Sequence, residues 1–330
     1  MELPAKTWYI EDYEYMKISH ASDEEGDVTV TDNSRAINRV FTCGIITDLL
    51  TKGTNEVYEY VVRRYVDDPE SKTHGEIVSE IYAHLGREKR NEYYYMNTLL
   101  NKLLVGIHNV NTTTALSKVR VGQSIADIVM INGDGKIYVV EIKSALDNFD
   151  RLYNQISNYF TAFSKVSIFS SIHELERVER ILSGFGDMGE AVGIYVLSDH
   201  DTIFNKARSR EPKQYVDCLE YSSIFKLMRK REYESVLRQY YGEIPQTPPA
   251  FYFKTCLELF KQIPILTAQG MVFLQLKKRN HIDKSEFEGI QRELKSVVYF
   301  SGLSSMVPAL EQLLRTNYRR SNNVFPVFER

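Results

Sequence analysis

Cysteine is scarce in this sequence. Only Cys43, Cys218 and Cys256 occur in 330 residues, an odd number set far apart. They fit neither a disulfide framework nor a zinc-site spacing, so the sequence predicts reduced thiols in a cytoplasmic setting. Long apolar runs are missing as well: no stretch approaches the ~20 residues needed to cross a bilayer, which predicts no membrane partner. The opening Met1-Glu2-Leu3-Pro4-Ala5-Lys6-Thr7-Trp8 has neither the basic start nor the apolar core of a secretory leader. No low-complexity tract or internal repeat is visible. Nor does one charge dominate, the formal net charge being −3. That balance counts against a protein that coats nucleic acid. It leaves room for a local basic groove, because affinity follows the phosphates actually contacted. Candidate basic stretches are Lys226 to Arg231, Lys277 to Arg279 and Arg315 to Arg320, although most such runs are solvated helix faces. His74, His84 and His108 are scattered, without a zinc-ligand spacing.

What is present is an ordinary globular composition, 43% hydrophobic and 26% charged, in a chain long enough for a large core. Residues 1–33 are aromatic and acidic and read as an arm or short hairpin. From Ser34, apolar residues Ile37, Val40, Phe41, Ile45 and Leu49 recur at helical spacing up to Gly53. Further helices are expected over 55–66, from Thr73 with Ile77, Ile81 and Leu85 on one stripe, and over 93–104. Strands follow at 117–121, 125–131 and 136–142. Then come a helix at 148–164, a strand at 166–169, a helix at 173–182 and a strand at 192–197. This order predicts a mixed α/β sheet covered by helices. Beyond about residue 200 the segments 221–240, 251–263, 284–299 and 305–315 are amphipathic. The expected organisation is a helical extension over 1–70, an α/β core over 71–200 and a helical C-terminal region over 201–330, serving DNA binding, regulation or dimerisation.

The chemistry concentrates in one hairpin. Ala126-Asp127-Ile128-Val129 and Val140-Glu141-Ile142-Lys143 flank Asn132-Gly133-Asp134-Gly135-Lys136, a Gly-flanked tip between β-branched runs. A loop centred on Asp134 sets Asp127 opposite Glu141 on one face of the sheet. Directly opposed Cβ atoms lie about 4.5–5.5 Å apart, and like charges so placed are destabilising. Lys143 projects from the same face. A divalent metal explains two carboxylates and an ammonium there. Mg²⁺ takes hard oxygen ligands, keeps several waters and can activate a nucleophile for phosphodiester hydrolysis. Asp127, Glu141 and the carbonyl of Ile142 are the candidate ligands, and Lys143 would orient the attacking water and stabilise charge. Gln155 and Tyr159, four apart, share one face of the following helix, with Arg151 one turn earlier as a candidate phosphate clamp. Tyr159 in the core, Gln155 at its border and Arg151 on the surface is the equally open structural alternative. Glu76 and Glu80 lie on one side of an upstream helix. Thr73-His74-Gly75-Glu76 also fits a capping box, which gives Glu76 a rival role. Ser144 and the Tyr93-Tyr94-Tyr95 run read as structural.

Asp127, the hairpin and Glu141-Ile142-Lys143 together resemble the PD-(D/E)xK nuclease superfamily. The element order over residues 73–197 is similar too: a helix carrying Glu, three antiparallel strands, a helix and a further strand. The likeness extends to a bacterial group with a Glu-Ile-Lys-Ser strand end, here Glu141 to Ser144, and an Arg-Leu-x-x-Gln helix, here Arg151 to Gln155. Ala126 stands where the family carries proline, a position that is not a ligand. The resemblance implies a restriction-endonuclease-like fold and a Mg²⁺-dependent deoxyribonuclease, with Mn²⁺ as a substitute. It assigns a helix acid to the site, Glu76 or alternatively Glu80, and gives Gln155 and Tyr159 a supporting and DNA-contacting role. Prokaryotic defence, mobile-element conflict or DNA repair would be the setting, and double-strand cutting would favour a homodimer. The alternative is a non-cleaving nucleic-acid or protein interaction module that keeps the fold.

Overall fold

Five strands carry the centre of the chain: β1 (Thr114–Val121), β2 (Ser124–Ile131), β3 (Ile137–Lys143), β4 (Val166–Ser171) and β5 (Gly193–Leu197). The computed structural model describes residues 36–88, 90–102, 112–132, 137–203, 208–280 and 282–320. The expected N-terminal arm, the hairpin tip at 133–136 and His108 lie outside them. The strands are hydrogen-bonded in the order β1-β2-β3-β4-β5. The first three are antiparallel, and β3–β4 and β4–β5 are parallel. Parallel neighbours need a crossover. α5 (Leu152–Phe160) supplies the first, and α6 (Leu175–Ser183) with the short α7 (Asp187–Ala191) supplies the second.

Helices precede the sheet: α1 (Cys43–Lys52), α2 (Glu56–Tyr65), α3 (His74–Glu88) and α4 (Glu92–Asn101). Others follow it: α8 (Tyr221–Lys226), α9 (Lys230–Tyr241), α10 (Pro249–Phe260), α11 (Ile265–Lys277), α12 (Lys284–Gly289), α13 (Lys295–Ser301) and α14 (Val307–Leu314). Local chemistry explains their ends. The Asn55 side chain accepts from the amides of Val57 and Tyr58 and starts α2. Gly53, at φ 72°, closes α1 with its N–H on the Leu49 carbonyl.

Some expected helices are broken. Residues 36–40 are helical, but Thr42 is extended and α1 starts anew at Cys43. The 221–240 segment splits at Arg229, whose extended backbone N–H bonds to Glu232 and begins α9. The 284–299 segment divides at Ile290, again extended. α11 had no clear signal in the sequence. Its apolar residues run round the helix, with Val272 and Leu276 buried but Leu266 and Leu274 half exposed, so no single stripe marks it.

The sheet is covered on both faces, which is why β4 is buried at every position. Alternation divides the hairpin between two cores. Ile128, Met130, Val140 and Ile142 pack with residues of α1 to α4 and with Val298 and Leu310. Val129, Ile131 and Val139 pack with α5 and with Phe225, Leu237, Phe260 and Val272. The chain beyond residue 200 thus lends helices to both faces, and one core draws on all three expected stretches. Among the described residues no helix is long and apolar enough to cross a membrane.

Candidate active site

The β2–β3 register is the expected one, running from Ile131↔Ile137 to Ile128↔Val140. At the far end of β3, Glu141 and Lys143 are almost fully buried, 2% and 5% exposed. Burying such groups is costly unless they are paired, and α5 supplies their partners. Gln155 donates to Glu141 Oε1 and accepts from Lys143 Nζ at 3.0 Å, while Nζ lies 3.2 Å from Glu141 Oε1. One turn later the Tyr159 hydroxyl is 2.6 Å from Glu141 Oε2 and 2.8 Å from the Ile125 carbonyl. The four-residue spacing on α5 puts both side chains over the same carboxylate. Burial, and next the charge of Asp127, push Glu141 up to about 7 against the opposing pull of Lys143 and Tyr159. Tyr159 is itself fully buried, so its placement suits support of Glu141 rather than contact with DNA.

A second group lies at the rim. The β2–β3 ladder ends at Ile128, and the Asp127 side chain takes over: its Oδ2 accepts the Ile142 N–H at 2.8 Å. Ile142 therefore meets Asp127 through its amide, and its carbonyl takes no part in that bond. Asp127 Oδ1 accepts from Lys118 Nζ at 2.9 Å, and the same ammonium donates to Glu92 Oε1. Burial opposes the charge on Lys118, but Asp127 and Glu92 more than offset it and raise its pKa.

Lys118 has φ 53° in the middle of β1, a left-handed conformation that costs a residue with a Cβ. The pleat resets there. Leu116 and Val119, three apart, both pack on the α5-side core, as do Ala126 and Val129 on β2. Strict alternation would send the members of each pair to opposite faces.

The expected helix acid is not at this cluster. Glu76 Oε2 accepts from both the N–H and the hydroxyl of Thr73 at 2.8 Å, and the Glu76 amide returns to Thr73. That closed capping box holds the Glu76 carboxyl below its ordinary pKa. Glu80 pairs with Lys72 at 2.6 Å. Neither shares a partner with Asp127 or Glu141. The acid that does is Glu92, the first residue of α4, joined through Lys118. Its sequence signal was slight, an acid after the cap Asn91 on the helix just before the sheet. Lys118 had none. Arg151 sits at the start of α5 with its side chain exposed, one turn from Gln155. Ser144 ends β3 in a turn whose amide and hydroxyl donate to Asp147 at 2.7 Å. Tyr94 and Tyr95 are buried, and Tyr93 bonds the Glu293 carbonyl, which fits their structural role.

The donor set is all oxygen, of the kind Mg²⁺ takes. A cation already sits between Glu92 and Asp127, namely the Lys118 ammonium, so that point is cation-receptive. Among the described residues, no three His, Cys, Asp or Glu side chains are grouped closely enough to hold a metal ion as they stand. Lys118 stands between Asp127 and Glu92, and Lys143 pairs with Glu141.

No curated protein and no solved structure matches the chain. The model of the family described as bacteriophage P4 protein cII matches residues 86–296. That is well over half of the chain, and it takes in Glu92, the whole sheet and α5. The chain belongs to the bacteriophage P4 protein cII family.

Proposed function

We propose that this protein is a metal-dependent nuclease of the PD-(D/E)xK type, with a restriction-endonuclease-like core, that hydrolyses phosphodiester bonds of DNA. The observation that carries the reading is the buried Glu141–Lys143 pair held by Gln155 and Tyr159 beside Asp127. Burying two charges costs several kcal/mol per ion unless they are well paired, and an apolar pair would serve stability as well. Such a cost is accepted where the groups do chemistry. The element order supports the same reading: a helix with an acid, an antiparallel three-stranded unit, a helix, and a strand parallel to the third.

Asp127 and Glu141 would hold Mg²⁺ or Mn²⁺, and Glu92, joined to Asp127 through Lys118, would be the further acid once that ammonium moves aside. Bound metal supplies neutralisation of phosphate charge and a more acidic water. Lys143, fixed by Gln155, orients the attacking water and stabilises negative charge developing on the phosphate. Gln155 and Tyr159 keep Glu141 in one orientation. Genome defence, mobile-element conflict and DNA repair are all settings for this chemistry, and cutting both strands of a duplex would use two copies.

A second reading, a non-cleaving interaction module, draws on the satisfied carboxylates: Lys118 and Lys143 already match them. Calorimetric titration with Mn²⁺, together with cleavage assays on single-stranded, double-stranded and branched DNA, separates the two. The nuclease binds Mn²⁺, loses that binding in Glu141→Ala and cleaves at least one substrate. Wild-type protein that neither binds Mn²⁺ nor cleaves would leave the interaction module standing.

A further inference from the structure

Beside the rim of this site lies a cleft that the proposed chemistry has not used. β1 is an edge strand, and its beginning is covered. The Thr114 hydroxyl donates to the Lys277 carbonyl at 3.0 Å, and the Ala115 N–H donates to the Tyr299 hydroxyl at 3.0 Å. From Leu116 to Arg120 the cover parts, and the strand forms one wall of a cleft of about 490 Å³. The opposite walls are the α8–α9 junction, the end of α11 and α13.

Five of the lining residues are cationic: Lys118, Arg120, Lys226, Arg229 and Arg279. No Asp or Glu is among the residues that line it. The chain carries net charge −3, so this cationic lining departs from the whole. Cations on an edge strand can merely discourage pairing with another chain. That role explains Lys118 and Arg120, but it requires nothing of the facing helices, which contribute Lys226, Arg229 and Arg279. Arg279 is fixed by Glu232, with bonds of 2.7 and 2.5 Å, and by the Leu227 carbonyl at 2.6 Å. It braces the wall. Lys226 and Arg120 have exposed side chains. Half-buried Phe300 adds an aromatic ring to the lining.

Lys118 connects the cleft to the site, for it lines the former while its ammonium touches Asp127 and Glu92. A row of cations with an aromatic residue, ending at carboxylates, suits a polyanionic strand with bases to stack. The volume is that of a small-molecule pocket.

Building on the nuclease reading, we infer that the β1 cleft binds the phosphate backbone of single-stranded nucleic acid and feeds it past Lys118 to Asp127. The substrate is therefore a single strand, or the unpaired end or flap of a branched one.

The test measures fluorescence anisotropy of labelled oligothymidylate and of a blunt duplex with the full chain in chelator, where no cleavage occurs, over a series of salt concentrations. Wild type and Glu141→Gln should bind the single strand more tightly than the duplex. Arg120→Gln/Lys226→Gln should lose about tenfold or more in affinity, with a salt slope shallower by about 0.7 for each phosphate contact removed. Lys52→Gln, on the remote α1, should bind as wild type. Melting temperatures near wild type exclude misfolding, and Arg120→Lys/Lys226→Arg should restore binding. The inference is overturned by absent wild-type binding, by equal losses in Lys52→Gln, or by a duplex bound as tightly as the strand. Strand binding through the cleft without cleavage in Mn²⁺ would end the nuclease reading and leave the cleft. Cleavage indifferent to the cleft variants would do the reverse.

Discussion

The two halves of the site are built on opposite plans. Glu141 and Lys143 are buried and gripped by α5, so each charge has a rigid neighbour. Asp127 and Glu92 share one lysine whose side chain is half exposed, on a strand that is strained at that residue. Preorganised groups that need no rearrangement stabilise charge best at the moment of reaction. The half-exposed lysine on the rim is the more accessible of the two cations. The contrast teaches that one half has its charges fixed by a helix while the other rests on a single half-exposed cation.

The largest expected effect concerns Lys143. Replacing it with alanine should lower the cleavage rate by about 10²–10⁴-fold and leave Mn²⁺ binding in place. Removing the rim lysine, Lys118→Ala, should instead strengthen Mn²⁺ binding in calorimetry, because the competing ammonium is gone. Weaker Mn²⁺ binding in Lys118→Ala would erase the distinction between the halves.

A smaller effect separates them by pH. The Glu141 carboxyl is raised from 4.5 to about 7, so between these values the folded state holds more protons than the unfolded one. Stability should then fall as pH rises through that window, by roughly 3 kcal/mol at most. Urea unfolding in chelator at about pH 5 and about pH 7.5 should show the decline in wild type and not in Glu141→Gln. An identical slope in both proteins would mean that the buried charge is comfortable.

The smallest effect tests the strain on the rim. Lys118→Gly and Lys118→Ala both lose the ammonium, but only glycine accepts φ 53° freely. The glycine variant should be more stable than the alanine variant by about 1 kcal/mol in thermal unfolding, the reverse of the usual order in a strand. The usual order would show that Lys118 is not held left-handed in solution.

Much of the buried half was legible in the sequence. The register expected from the sequence is the one observed, and alternation put Glu141 and Lys143 on one face. The four-residue step from Gln155 to Tyr159 placed both on one side of α5. The rim half was not legible. Glu76 matched the expected pattern, yet its own Thr73 satisfied it locally. Glu92 looked like any acid in a first turn, where the helix dipole welcomes one. A left-handed lysine within a β-branched strand contradicts local preference, so no pattern announces it. The helices beyond residue 200 were expected as one region but are shared between the two cores.

By itself, then, the sequence determined the strands, the hairpin register and the residues of the buried half. These depend on neighbours in the chain, on turn chemistry and on the two periodicities of backbone structure. Tertiary structure alone decided which acid joins Asp127, which lysine stands between them, and that an edge strand and three helical walls enclose a basic cleft. Those choices arise from packing between segments far apart in the chain, where burial of apolar faces decides and no local signal records the outcome.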